Sequence, residues 1–404
     1  MEVNLNKISV THVGSLPRTQ EVVDYIFARE NNQKYNQNQF DSVMSNAVLE
    51  TVKKQVDAGV DIVSDGETSK ISYATYVKDR YNGFSGDSPR NPPADLKMFP
   101  SFLKRLADDG GTPKYSRPMC TDRITSKGQV DLKKDINNLK NAMERHNISR
   151  GFMNAASPGV ISLFLQNEFY NSREEYLSAL ADVMQAEYET IIKEGLYLQL
   201  DCPDLALSRH MLFSDLSDDD FVKIAELHVE TLNYALRNIP NEKVRIHICW
   251  GNYEGPHCCD IDMNKVFSTL MKAKAQFILF ETSNPRHAHE WEVFENRRSE
   301  IPDDKILVPG VIDTTTNFVE HPNLVRQRIE KFIKIVGRDR VVAGTDCGFG
   351  TFAGFGTVDP EIAYAKLAAL SKGASLIQKT LFKKKKFANV CNYSLYIFGI
   401  STIL

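Results

Sequence analysis

The sequence has no uninterrupted apolar run of about 18 residues, so it offers no membrane-spanning helix. Its opening residues, MEVNLNKISV, lack the apolar stretch of a secretion signal. Charge of one sign is also missing, since 49 Lys and Arg face 52 Asp and Glu for a net charge of −3. No broad field is present to draw in nucleic acid or an anionic membrane. Cysteine is sparse and odd in number, seven in 404 residues. A long chain of this kind, without a leader, argues against a disulfide framework. It points to the cytoplasm, with thiols free or metal-bound.

What is present is an ordinary globular composition, 42% hydrophobic and 25% charged. Short β-prone runs recur at residues 8–15, 60–67, 151–157, 196–201, 244–249, 277–281, 306–313 and 340–346. Each is of β-prone character over four to eight residues and ends in polar residues or glycine, as expected of strands buried on both faces. Between them lie amphipathic stretches such as 174–195, 218–240 and 322–337, the first stopping at Gly195. Eight alternations of strand and helix predict an α/β fold, a (β/α)8 TIM barrel over residues 1–381. The longest gap separates the second and third strands. It carries a Gly/Pro/Ser-rich segment and reads as an insertion at about 81–130, a hairpin flap over the strand ends. Residues 382–404 follow a Lys-rich run and change character. They form an atypical C-terminal tail, too short and too interrupted to span a bilayer.

Chemistry in such barrels sits at the C-terminal ends of the strands. There, His247 and Cys249 are two apart on one strand and therefore on one face. Glu281 ends the next strand and Cys347 the last. Two thiolates, an imidazole and a carboxylate form a tetrahedral set suited to Zn²⁺. A single His or Cys at a strand end is usually packing; four ligand types on strand ends of one barrel are not readily explained so. Cys258 and Cys259, beside His257, are the rival ligands, but adjacent cysteines point apart and chelate poorly. An electron-rich site of this kind keeps a bound thiol deprotonated and nucleophilic, and zinc cannot oxidise it. Glu281, the hardest donor, is the ligand expected to give way when the thiol enters.

The ordered motifs THVGSLPRT (11–19), DIVSDGE (61–67), LQLDCPDL (198–205), HIC, FILFE and TDCG resemble the catalytic half of cobalamin-independent methionine synthase over about residues 8–381. This UROD/MetE-like resemblance implies the barrel, a zinc cofactor on His247, Cys249, Glu281 and Cys347, and an amino-acid thiol held by Ser15, Glu67 and Asp201. It implies homocysteine S-methylation, as in methionine biosynthesis. The partners it implies are a small-molecule thiol and a methyl or alkyl donor, without nucleic acid or membrane; homo-oligomers are compatible with it. The sequence departs from the family in three places. Cys202 follows Asp201 where the family has Glu. Thr315 stands in PGVIDTTT where the family has a His. The folate-stacking Trp is absent from SPGVISLF.

The segment HICWGNYEGPHCCDID is also similar to single-barrel relatives that include epoxyalkane:coenzyme M transferase. On that reading a thiolate opens an epoxide, His321 or Tyr253 protonates the alkoxide, and Arg18 or Arg286 binds an anionic group of the thiol. Two remoter readings compete. A metal-free decarboxylase of the uroporphyrinogen type shares the barrel but has no use for the His, Cys, Glu, Cys set. A structural-zinc binding protein would favour close CxxC pairs in loops over ligands spread across strand ends.

Overall fold

The computed structural model describes residues 7–89, 92–108 and 114–377. The tail expected at 382–404 lies outside the described residues. Seven strands are present: β1 Tyr81–Ser85, β2 Met119–Ser126, β3 Phe152–Ala156, β4 Tyr197–Asp201, β5 Val244–His247, β6 Phe277–Phe280 and β7 Ile306–Pro309. The last five form one parallel sheet in sequence order. Every residue in them is buried, which is why they read as continuous apolar runs rather than as alternations.

Eight regular strands were expected and the main sheet has five. The other three segments run beside it but join through isolated parallel bridges: Val63 to Gly151, Leu307 to Val341, Gly310 to Gly344 and Val10 to Ala343. The Val10 carbonyl accepts from both Asp61 N and Ile62 N, so one acceptor serves two donors and the ladder does not extend. Beyond it, Gly14 and Gly66 take φ of 146° and 69° and turn the chain into loops. The interior nonetheless draws on all eight segments. Val13, Ile62, Phe152, Tyr197, Phe277, Leu279, Ile306, Val308 and Val342 pack as one buried cluster. Arg245 from β5 completes it, its guanidinium 3.8 Å from the centroid of Phe152 and bonded to Thr11 Oγ1 and the His12 carbonyl.

Helices Arg173–Lys193, Asp218–Ala235 and Pro322–Val336 lie where the amphipathic stretches predict them. Ser172 and Ser217 cap the first two by accepting from the backbone N–H groups of Glu175 and Asp220. β1 and β2 pair antiparallel, and the chain between them includes helices Ala94–Met98 and Pro100–Asp108. Asp95 on the first of these accepts from the Tyr253 hydroxyl (2.6 Å) and the His257 amide (2.9 Å). That contact brings the β1–β2 connection against the loop that follows β5. No helix of the described residues is long and apolar enough to cross a membrane.

Candidate metal centre

His247 is the last residue of β5, and the pairing runs on one residue further through Ile248 N to Leu279 O (3.0 Å). That extension keeps Ile248 in the core and returns Cys249 to the face of His247. Cys347 arrives from the segment after Gly344. Donor atoms of His247, Cys249 and Cys347 all lie within 4.8 Å of one another, and the three residues are buried. The two sulfurs are 3.8 Å apart. That is about the edge of a tetrahedron with metal–sulfur bonds of ~2.3 Å, and far beyond a disulfide of ~2.05 Å. The Gly251 amide donates to Cys249 Sγ (3.3 Å), a bond that favours thiolate. This buried His-Cys-Cys group can bind a metal ion.

The electrostatics fit a cation. Cys249 is held above the ordinary thiol range, first by its bond to Cys347 and then by burial. Burial disfavours a charged His247, but its contact with Asp201 and the sulfur of Cys347 outweigh that and hold the imidazole up at about 9. His247 Nδ1 lies 3.5 Å from Asp201 Oδ1, and Nε2 lies 3.0 Å from the Asp346 carbonyl. A divalent ion supplies the positive charge that these groups otherwise draw from protons.

Glu281 follows β6 and is buried, but it is not gathered with the other three. Its Oε1 accepts from Trp250 N (3.0 Å) and its Oε2 from Asn284 Nδ2 (2.7 Å). Asp346 ties the two loops together. Its carboxylate accepts from the amides of Thr282, Ser283 and Asn284 at 2.8–2.9 Å. Asn284 went unassigned in the sequence; the polar turn ETSN directly after an apolar strand was the available signal.

Ser15, Glu67 and Asp201 surround the same strand ends. A Cβ built on Gly348 would lie 1.9 Å from Ser15 Oγ, so Ser15 packs directly on the residue after Cys347. Glu67 has φ of 54°, a left-handed backbone uncommon for a side-chain-bearing residue. Its Oε2 is buried without a hydrogen-bond partner, and Asp201 Oδ1, also buried, has only the His247 ring nitrogen near it, at 3.5 Å. Buried carboxylate oxygens are rarely left so, and two together mark a place for a cationic donor. Burial pushes the Glu67 carboxyl up to about 7; Lys70 and Arg18 oppose the shift and the charge of Asp201 adds to it. Asn154, unremarked in the sequence, anchors Asp201 through Oδ2 (3.0 Å).

The remaining candidates sit elsewhere. The Arg18 guanidinium is committed to the carbonyls of Glu67, Thr68, Lys70 and Gly350, and Arg286 is exposed. His321 is exposed at the N-cap of Pro322–Val336, where Nδ1 accepts from Asn323 N (3.1 Å). Tyr253 is half-buried, bonded to Asp95 and stacked on His257 at 4.3 Å. Cys258 and Cys259 face Met98 rather than the His-Cys-Cys group. Thr315 lies in a turn closed on Asp313, whose carboxylate accepts from Thr315 N, Thr315 Oγ1, Thr316 N and Thr316 Oγ1.

The parallel sheet and its buried His-Cys-Cys group define an α/β protein whose strand ends carry a group able to hold a metal. Residues 172–359 match the catalytic domain of the cobalamin-independent synthase family. It is 22% identical over 392 residues to methionine synthase of Sulfolobus acidocaldarius, covering 96% of this chain and 97% of that protein. It is 23% identical over 379 residues to methionine synthase of Thermococcus kodakarensis, with 93% and 94% covered. The structure of a B12-independent methionine synthase from Shewanella, in complex with selenomethionine, superposes with a TM-score of 0.70 at 21% identity, covering 93% of this chain and 99% of that one. A second structure, a putative vitamin-B12-independent methionine synthase from Listeria monocytogenes, gives 0.63 at 19% identity, with 92% and 99% covered.

Proposed function

We propose that this chain is a zinc-dependent homocysteine S-methyltransferase of the cobalamin-independent methionine synthase type, acting in the cytoplasm on a small thiol and a separate methyl donor. One observation carries the reading: two buried sulfurs at tetrahedral spacing stand beside two buried carboxylates, one with an unpartnered oxygen. The sulfurs and His247 suit a thiophilic metal; the carboxylates of Glu67 and Asp201 suit the ammonium of an amino-acid thiol. The end-to-end likeness to methionine synthases supports the same assignment.

On this reading His247, Cys249 and Cys347 would hold zinc, with Glu281 as the fourth, displaceable ligand; Trp250 N and Asn284 Nδ2 hold the Glu281 carboxylate beside the site. When bound, zinc supplies the Lewis acidity that keeps a substrate thiol deprotonated at neutral pH. Glu67 and Asp201 fix the substrate ammonium, Ser15 lines the same end, and the buried surround excludes water. The homocysteine sulfur forms the new C–S bond. The donor keeps the electron pair of the bond it loses, and the thiol proton passes to solvent. The identity of the donor is not assigned: Thr315 is held in the Asp313 turn and presents no imidazole to a folate.

The bridges that link the outer three segments to the parallel sheet support a (β/α)8 barrel reading for residues up to 381. The contact of Asp95 with the β5 loop supports an insertion at 81–130 lying over the strand ends. A sulfonate thiol such as coenzyme M lacks the amine, and Arg18 is already committed to carbonyls. This favours homocysteine over the epoxide reading.

The test is to titrate L-homocysteine and coenzyme M into the zinc-loaded wild type and Asp201→Asn. Homocysteine should bind the wild type more tightly and lose about ten-fold or more in the variant, one charge-assisted bond. Tighter binding of coenzyme M, or no loss of homocysteine affinity in the variant, overturns the amino-acid assignment.

A further inference from the structure

A second cluster of ligand-type side chains lies behind the first, on the far side of Trp250. Asp260 Oδ2 is 2.9 Å from both His257 Nδ1 and His287 Nε2. Its Oδ1 faces His210 Nδ1 at 3.4 Å. The side chains of His210, Asp260 and His287 are 1%, 2% and 3% exposed, that of His257 13%. Donor atoms of His257, Asp260 and His287 fall within 4.8 Å of one another. We propose that His210, His257, Asp260 and His287 form a second binding site, specific for a divalent transition cation of the zinc type, distinct from the His-Cys-Cys group.

Three observations support it. The first is the orientation of the rings. His257 Nε2 lies 3.0 Å from the Tyr253 carbonyl, and His287 Nδ1 lies 2.9 Å from Glu290 Oε2. Each imidazole thus donates its far N–H to an oxygen and turns its near nitrogen to the common centre, the arrangement in which metal-ligating histidines are held. The second is His210. It is almost fully buried, and neither ring nitrogen has a hydrogen-bond partner; nor has Asp260 Oδ1. Buried polar atoms are nearly always paired, and an ion at the centre would satisfy both. The third is spacing. Separations of 2.9–3.4 Å bracket the edge of ~3.3 Å expected of a tetrahedron with bonds of about 2.05 Å.

Three imidazoles and one carboxylate fill four positions and leave none open, the pattern of a structural ion. Its effect is on the loop between Cys249 and Asp260. Trp250 packs on His287 with the rings tilted and their centroids 4.4 Å apart, and it donates its amide to Glu281, so an ion at His287 steadies the wall of the first site. Cys258 and Cys259 turn to Met98 and take no part.

The experiment is cobalt titration of the full-length protein after chelation, reading bound metal per chain and the absorption spectrum. Wild type should bind two cobalt ions, one with sulfur-to-cobalt charge-transfer absorption and one with ligand-field bands alone. Cys249→Ser with Cys347→Ser should lose the charge-transfer band and keep one cobalt. Asp260→Asn and His287→Gln should each lose one cobalt and retain the charge-transfer band, which also reports that the variant is folded. A wild type that binds one cobalt only, with the charge-transfer band present, or Asp260→Asn and His287→Gln that still bind two, overturns the second site. Loss of the charge-transfer band from the wild type alone overturns the first site and leaves the second standing.

Discussion

Replacing Glu67 by Gln separates binding from stability. The carboxyl is buried, holds an unpartnered oxygen and titrates at about 7, against about 4.5 for the same group in an unfolded chain. As pH rises from 4.5, the unfolded chain gives up this proton first, and the native protein keeps it until about 7. The native state therefore binds more protons through that window, and stability falls as pH rises, levelling above 7. A shift of about 2.5 units corresponds to about 3 kcal/mol. Glu67→Gln carries no such charge, so at pH 8 it should be more stable than wild type by up to about 3 kcal/mol, and equal to it near pH 4. Binding should move oppositely. L-Methionine carries the amino-acid head without a thiol, so its own titration does not intrude. Its affinity for the wild type should rise as pH passes through 7 and Glu67 ionises. In the variant that rise should vanish, and affinity at pH 8 should fall by about ten- to a hundred-fold, the worth of one charge-assisted bond of ~1.5–3 kcal/mol. Calorimetry across pH 6–8 and urea unfolding at pH 4 and 8 read the two effects. Equal methionine affinity and equal pH slope in both proteins would refute the ammonium assignment. Equal stability at pH 8 would refute the burial argument.

Two further outcomes follow from buried groups. His12 is fully buried against Gln55, and burial lowers its pKa to about 4; in the unfolded chain it protonates near 6.5. Stability should thus be lost as pH falls from 6.5 to 4, by about 3 kcal/mol, and His12→Gln should flatten that limb of an acid-denaturation curve; an unchanged curve contradicts it. Gly348→Ala places a methyl 1.9 Å from Ser15 Oγ and should cost about 1–3 kcal/mol in chemical unfolding, with an undisturbed melting curve as the contrary result.

The parallel strands were legible because burial on both faces makes each an uninterrupted apolar run, as in Phe277–Phe280 and Ile306–Pro309. The same signal marked the segments at Val10, Val63 and Val341, but it cannot show that shared acceptors and glycine turns stop them short of regular ladders. The two-residue spacing of His247 and Cys249 carries strand geometry in itself, and it led to Cys347 at the end of another segment. The position of Glu281 did not follow from spacing. It depends on Trp250 N and on Asn284, a turn residue whose side chain folds back onto it. The cluster around Asp260 was wholly illegible. His210 comes from a short helix in a run that reads as packing, His287 from a turn after β6, and only topology brings them to His257.

The turn on Asp313 has a consequence for how such a protein changes. Thr315 and Thr316 hang from that one carboxylate, and Thr314 Oγ1 donates to Asn252 Oδ1 at 3.0 Å in the loop beyond Cys249. The backbone behind the turn is pinned to the sulfur side, with Asp346 N donating to Ile312 O at 2.9 Å. The side chains of the turn can therefore drift while its backbone stays in place. Rewriting the threonine turn exchanges the electrophile that is admitted while the thiol pocket is inherited intact, so one lineage can acquire a new alkyl source by a loop's worth of substitutions.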